Sequence, residues 1–482
     1  ITNTYSNDIK CAEMVATVGT LIKEGIAENL RNEVRYISVM IDGATDASST
    51  ENETVYARCL GTDGRPVNRM VGHKPVEHAH ADGLLQVVDN CFSDLGVKEW
   101  KKSTIGFGAD GASVNLGKRR GVASILKREV HHLIDIHCLP HRLELSMLEM
   151  QQQCKYVKEV YDILHLVWKT YHFSPKSKRE LTALGNELGL DVLKPRPVKG
   201  SRWLPHVSGA LRVFIKPVKD GSIRSDPAQY AAVLAHMEHL ATTSANADVK
   251  GRAKFIAKAM KKASLVTFCH FLSDLFDVLS KLSFHFQRND LILPSAVSLL
   301  EEALSSISLL AKRPVRGGRL QAFLGSLSTS DSCSLFQGIT LSGDLSGITT
   351  EEIDEKAGVG AQIKQATDLC LSGLRARFGA LLQAPDKIAT PGPNQVVKDL
   401  LVFNHDAWPT AQSELIDFGQ EAIMRLSTWF QPALEDKGCI IAAILPQWTS
   451  LKVLVSTQFK RKGYLDLWAT LLTKVPYRDD HK

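Results

Sequence analysis

The chain has 482 residues, 44% of them hydrophobic and 23% charged, with a net charge of +6. That length is enough for two or three soluble domains, each with its own core. No run of 18 or more consecutive apolar residues occurs, which argues against a membrane partner, and nine cysteines without a single CxxC pair read as free thiols of a reducing compartment.

Taken in chain order, Val15, Leu21, Ile22 and Ile26 recur at helical spacing and predict a helix over the first 30 residues. Arg35 to Asp42 is then a short run of β-formers that ends on a carboxylate. Residues 53–60 and 67–76 follow as strands across the turn Gly61-Thr62-Asp63-Gly64. Residues 79–95 are helical in period. Residues 103–109 form a fourth strand, with Asp110 directly after it; 117–130 read as a helix and 133–138 as a fifth strand. From Pro140 a long helix is expected to run to about Thr170. Three strands on short turns, then alternating strands and helices, describe a mixed α/β sheet. Further on, 226–243, 248–288, 291–312, 361–383 and 411–430 are helical in period, while the Ser-, Thr- and Gly-rich stretch 326–360 reads as a flexible loop.

The charge is unevenly spread. Residues 1–150 hold 17 Lys and Arg against 20 Asp and Glu, a balance of −3, so the remainder carries +9. Between Lys169 and Arg224 stand twelve basic residues and four acidic ones. Such a stripe suits a phosphate backbone, and it also suits a solvated linker.

In α/β sheets the carboxyl ends of strands project into the functional crevice, and Asp42 and Asp110 both stand there. Carboxylate oxygens paired in this way suit a hard divalent cation, Mg²⁺ or Mn²⁺, in phosphodiester chemistry. An Asp after a strand is also a common turn or N-cap residue, which is how Asp46 reads. Cys138 and His141 supply half of a zinc set, and His131, His132 and His137 nearby fit no standard finger, so a supporting role at the sheet edge and no structural zinc are expected.

Four blocks stand in order: Ile41-Asp42-Gly43-Ala44-Thr45-Asp46, Gly108-Ala109-Asp110-Gly111, Cys138-Leu139-Pro140-His141-Arg142-Leu143-Glu144-Leu145, and Ser201-Arg202-Trp203. In order and spacing they resemble the hAT superfamily of DNA transposases, in particular its domesticated, BED-finger-associated relatives, over roughly residues 1–210. The resemblance implies an RNase H-like mixed sheet with flanking helices, interrupted by a large all-α insertion. It implies a helical segment over 1–34, a catalytic-type domain over 35–170, an insertion over 171–476, and a return to the first domain at 477–482. Asp42 and Asp110 then match the first two acids of an Asp-Asp-Glu site as candidate catalytic and metal-binding residues. Cys138 and His141 match the family's CxxH. Trp203 matches a Trp that stacks on DNA, with Lys194, Arg196, Lys199 and Arg202 on phosphates; anchoring the insertion is the other reading of Trp203. Lacking the family's finger and the C-terminal segment that carries the third acid and dimerisation, the chain is expected to be a fragment. A homo-oligomer is expected only with that segment. The expected function is DNA binding by a nuclear, transposase-derived protein, with nuclear proteins as further partners. The alternatives are an active metal-dependent transposase or nuclease and a protein-interaction scaffold.

Overall fold

A computed structural model describes residues 7–32, 34–187, 192, 194–200, 202–215, 229–330, 333–336, 338–343, 345–382 and 392–474. The chain divides into two compact units. The first comprises residues 1–141, 288–295 and 383–482, and the second 142–287 and 296–382.

The first unit opens with the helix α1 (Asp8–Asn32) and the strands β1 (Ile37–Thr45), β2 (Glu51–Leu60) and β3 (Pro66–Pro75). Then come α2 (Ala81–Asp94), β4 (Thr104–Ala109), α3 (Ser113–Leu116), α4 (Val122–Glu129) and β5 (Ile134–His137). The sheet order is β3-β2-β1-β4-β5, with β1, β2 and β3 antiparallel and β4 and β5 running parallel to β1. This is the RNase H-like mixed sheet that the sequence suggested. Alternation explains its buried face: Ile37, Val39 and Ile41 on β1 and Val55, Ala57 and Cys59 on β2 are all buried. They belong to one apolar cluster with Leu84, Val88 and Phe92 of α2 and Leu126 of α4. The Trp100 ring stacks on Phe92 at 4.8 Å and its Nε1 donates to Asp89 (2.9 Å).

The second unit is largely helical: α5 (Leu139–Gln153, whose first turn belongs to the first unit), α6 (Lys155–His172), α7 (Pro175–Glu187), α8 (Trp203–Phe214), α9 (Gln229–Thr243), α10 (Ala247–Met260), α11 (Ala263–Phe286), α12 (Leu293–Leu310), α13 (Arg319–Ser326) and α14 (Gly358–Leu382). By length and composition α11 and α12 are apolar enough to cross a membrane. In the fold α11 is a core helix, 78% of its most apolar window being buried. Helix α12 buries Ala296, Leu300, Ala303, Ile307 and Leu310, a single stripe at helical spacing, and leaves Leu309 exposed. The Asp274 carboxylate on α11 caps α13 by accepting from the backbone N–H groups of Arg319 (2.8 Å) and Leu320 (3.0 Å).

The chain returns to the first unit with α15 (Pro393–Asp399), α16 (Gln412–Asp417), α17 (Gln420–Trp429), α18 (Gln431–Asp436), α19 (Ile444–Leu454) and α20 (Tyr464–Thr473). Val396, Val402, Trp408, Ile423, Leu426 and Trp448 form an apolar cluster together with Ile134 of β5. The Trp429 Nε1 donates to the His132 carbonyl (2.9 Å) and the Tyr36 hydroxyl to that of Ala433 (3.1 Å).

Several expectations need correction: the span 248–288 is two helices, α10 and α11, and 411–430 is likewise two, α16 and α17. The single helix from Pro140 to Thr170 is two, because the buried Cys154 leaves helical geometry at φ −93°, ψ 110°. The helical residues after 141 bury their apolar stripe in the second unit, so the boundary lies near 141 and not 170. The insertion closes at 382 and not 476, because the segment after it rests on β5; the stretch 477–482 lies outside the described residues. Within 326–360 the chain forms a three-stranded antiparallel sheet, β6 (Ser328–Ser330), β7 (Cys333–Phe336) and β8 (Ile339–Leu341), with buried Phe336 and Leu341 as its apolar anchors.

Candidate functional site

Strands β1 and β4 run parallel with Met40 level with Gly108. Two residues further along each strand stand Asp42, still on β1, and Asp110, just past the end of β4. Neighbouring strands lie about 4.8 Å apart, and residues two apart share a face, so the two aspartates occupy the same level on the face that carries Met40 and Gly108. Asp42 is exposed. Asp110 is fixed by its own loop: its Oδ1 accepts from the Ala112 backbone N–H (3.0 Å) and from the Asn115 side-chain amide (2.8 Å).

Asp46 is the turn residue between β1 and β2. Its Oδ1 accepts from the Ser48 hydroxyl (2.6 Å) and the backbone N–H groups of Ser48 (2.8 Å) and Thr50 (2.9 Å). These bonds, the Ser48 hydroxyl foremost, hold its proton affinity below the ordinary carboxylate range.

A third carboxyl, on β2, stands near enough to the pair to feel its charge. Glu53 on β2 pairs in register with Gly43, the residue after Asp42. It keeps the inward phase of Val55, Ala57 and Cys59, is only 4% exposed, and reaches the site from the core side of the sheet. Its Oε2 lies 3.0 Å from the point a Cβ on residue 43 would occupy. Burial raises its pKa to about 7, and the charges of Asp42, Asp110 and Glu51 add to the rise. The signal was present in the sequence: an acid at an inward position of an alternating strand breaks the pattern.

The acids of the C-terminal stretch stand in other pairings. Asp466 pairs with Arg65, Asp436 with Lys437 (3.1 Å), and Glu435 accepts from Gln431 (2.8 Å); Asp479 and Asp480 lie outside the described residues. Among the described residues, no three His, Cys, Asp or Glu side chains gather as a ready-made metal cage. The carboxylates on this edge that could hold a hard cation such as Mg²⁺ or Mn²⁺ are Asp42 and Asp110.

Cys138 and His141 stand just beyond β5, and both are exposed. The Cys138 backbone N–H donates to the Ala109 carbonyl (2.8 Å), extending the β4–β5 ladder to the residue before Asp110. The His137 ring lies 5.4 Å from that of His141 and fills the space beside Gly111, where a Cβ would meet it at 2.5 Å. Residue 111 therefore has to be glycine for His137 to close on the Asp110 loop.

In the second unit Lys194, Arg196, Lys199 and Arg202 all face solvent, Arg202 donating to Gln287. Trp203 does not: it is 7% exposed and packs edge-on against Phe276 at 5.6 Å, the geometry of the anchoring reading. At the same helix start the buried Glu144, from the Cys138–Leu145 block, accepts from the Leu204 backbone N–H through Oε2 (3.0 Å). The Cys138–Leu145 block thus caps the helix that begins at Trp203 from a different helix. Glu144→Ala should cost about 1–3 kcal/mol, since the N–H is left buried and unpaired while Glu144→Gln keeps the acceptor. Equal thermal midpoints for the two variants would contradict this.

Residues 2–121, which hold β1 to β4 and both aspartates, match the DUF4371 family, described as the ZMYM1/FAM200 RNase-like domain.

Proposed function

We propose that this chain is a transposase-derived, RNase H-like protein of hAT type that binds DNA and acts in the nucleus. The observation that carries the reading is the level placement of Asp42, on β1, and Asp110, just past the end of the adjacent parallel strand β4, an arrangement that suits a divalent cation in phosphodiester chemistry. The likeness of residues 2–121 to an RNase-like family and the solvent-facing run Lys194, Arg196, Lys199 and Arg202 support it. Asp42 and Asp110 would hold Mg²⁺ or Mn²⁺, and the cation, when bound, supplies charge neutralisation at a phosphate. Glu53, with its raised proton affinity and inward placement, stands behind the pair and not among its exposed oxygens. We read the chain as a binding protein first; the paired aspartates favour metal-dependent nuclease or transposase chemistry as the second reading.

Two measurements test this. DNA affinity followed by fluorescence anisotropy should fall steeply with salt, by roughly one order of magnitude or more between 50 and 200 mM, because phosphate contacts release counterions. Calorimetric titration with Mn²⁺ should show binding to the chain and none to Asp42→Asn/Asp110→Asn. Salt-independent DNA affinity overturns the DNA reading, and unchanged Mn²⁺ binding in the double variant overturns the site.

A further inference from the structure

Helix α6 is rooted in the second unit by one apolar face, on which Val157, Val160, Ile163, Leu164, Val167 and Tyr171 are buried. His165, Trp168, Lys169 and His172 fall on another, at steps of three and four residues. Their rings form a ladder. His165 lies against Trp168 at 5.6 Å and 29°, and Trp168 against His172 at 4.5 Å and 23°. Phe173, at the end of the helix, closes the ladder edge-on to both His172 (4.6 Å) and Trp168 (5.8 Å). Phe173 is 69% exposed, and His172 and Lys169 are exposed with it.

The surroundings of this ladder are basic. The proton affinity of His165 is held down first by burial and then by the charges of Lys199 and Lys169, which stand close to it, with Asp162 as the opposing acid. Helix α7 begins two residues past Phe173. On it Lys178 faces Lys194, and that like-charge contact pulls the proton affinity of Lys178 down as well. An open hollow beside Lys178 is lined by Pro175, Arg179, Thr182, Ala183 and Asn186. Ammonium groups held against one another favour a polyanion, and a ladder of flat rings that is half-buried at His165 and Trp168 and exposed at His172 and Phe173 favours flat, π-faced ligands.

We propose that the α6–α7 face is a binding platform for single-stranded DNA, with unpaired bases stacking on Trp168, His172 and Phe173 and the phosphates running over Lys169, Lys199 and the Lys178–Lys194 pair. The proposal rests on the DNA-binding reading above and gives the stacking role to a different set of aromatic residues from Trp203, which is buried. Base–aromatic stacking tolerates any sequence, because every base has a π-face.

The test uses the full chain and a fluorescein-labelled oligo(dT) of twenty nucleotides, a duplex of the same length and an oligo(U). The platform predicts salt-dependent binding with preference for oligo(dT), and quenching of tryptophan fluorescence that is largely lost in Trp168→Phe. His172→Ala/Phe173→Ala changes only exposed side chains and should weaken oligo(dT) binding by roughly tenfold with an unaltered salt slope. Lys169→Gln/Lys199→Gln should weaken it with a shallower slope. If oligo(dT) binds and the His172/Phe173 variant binds equally well, the platform is overturned while the DNA-binding reading stands. Preference for the duplex or for oligo(U) also overturns it. If the chain binds none of the three, both fall.

Discussion

Glu53→Gln should leave stability near pH 4 almost unchanged and raise it at pH 8. In the folded chain burial, with Asp42 and Asp110 nearby, keeps the Glu53 proton up to about pH 7, whereas the unfolded carboxyl releases it near its ordinary value of 4.5. The folded state thus binds more protons across that window, so this carboxyl takes stability away as pH rises from about 4.5 to 7 and holds the loss above it. Each pKa unit corresponds to about 1.4 kcal/mol, and screening by solvent at the strand end brings the expected loss down to about 1–2 kcal/mol. The amide of Gln mimics the protonated acid and does not titrate. Thermal midpoints of the two proteins should therefore coincide in acid and separate by a few degrees in mild base. Parallel profiles from pH 4 to 9 would mean that Glu53 titrates like an exposed carboxylate and that its inward placement is wrong.

Glu53 also marks where sequence reasoning ran short. Strand phase was legible, because alternating Ile37, Val39, Ile41 and Val55, Ala57, Cys59 leave only one face to bury, and the observed strands fall within a few residues of the expected ones. Asp42 and Asp110 were legible because each follows a short apolar run of β-formers, although β1 continues past Asp42 to Thr45 and only Asp110 stands beyond its strand. Glu53 occupies a buried phase with an unsuitable side chain, and only the pairing of β2 with β1 brings it to the aspartates; register is a long-range property that local pattern does not carry. Helix ends failed for a related reason. Cys154 and the Lys261–Lys262 break carry no local stop signal, since tertiary packing sets both, whereas Gly419, at φ +76°, is the kind of residue that does split a helical pattern. Trp203 could be read equally as stacker or anchor until α8 was packed against Phe276, while the ring ladder on α6 needed the lysines of a distant segment to acquire its meaning.

The return segment is far longer than the sequence pattern suggests, and its chemistry supplies one of the largest stability changes expected. Asp399 at the end of α15 has a fully buried side chain, bound in two places by Arg425 of α17: Nε to Oδ2 (2.9 Å) and Nη2 to Oδ1 (2.8 Å). Gln395 donates to the same Oδ1 (2.9 Å). Removing Asp399 leaves Arg425, itself 26% exposed, without its partner and takes out a buried hydrogen-bonded group, so Asp399→Ala should destabilise the first unit by about 1–3 kcal/mol. Replacing both, as in Asp399→Leu/Arg425→Met, removes the charges together and should recover most of that loss. The same two helices carry Val396, Ile423 and Leu426 into the cluster that holds Ile134 of β5. Beta5 in turn is hydrogen-bonded to β4, the strand that presents Asp110. Loosening α15 from α17 should therefore reach the Asp110 side of the site first. Hydrogen exchange in Asp399→Ala should accelerate at β5 and β4 more than at β2 and β3, whose core of Val55, Ala57 and Val71 is packed by α2. Uniform acceleration across all five strands would show instead that the unit opens as a single block, and that the return segment supports the whole sheet and not only the edge that carries Asp110.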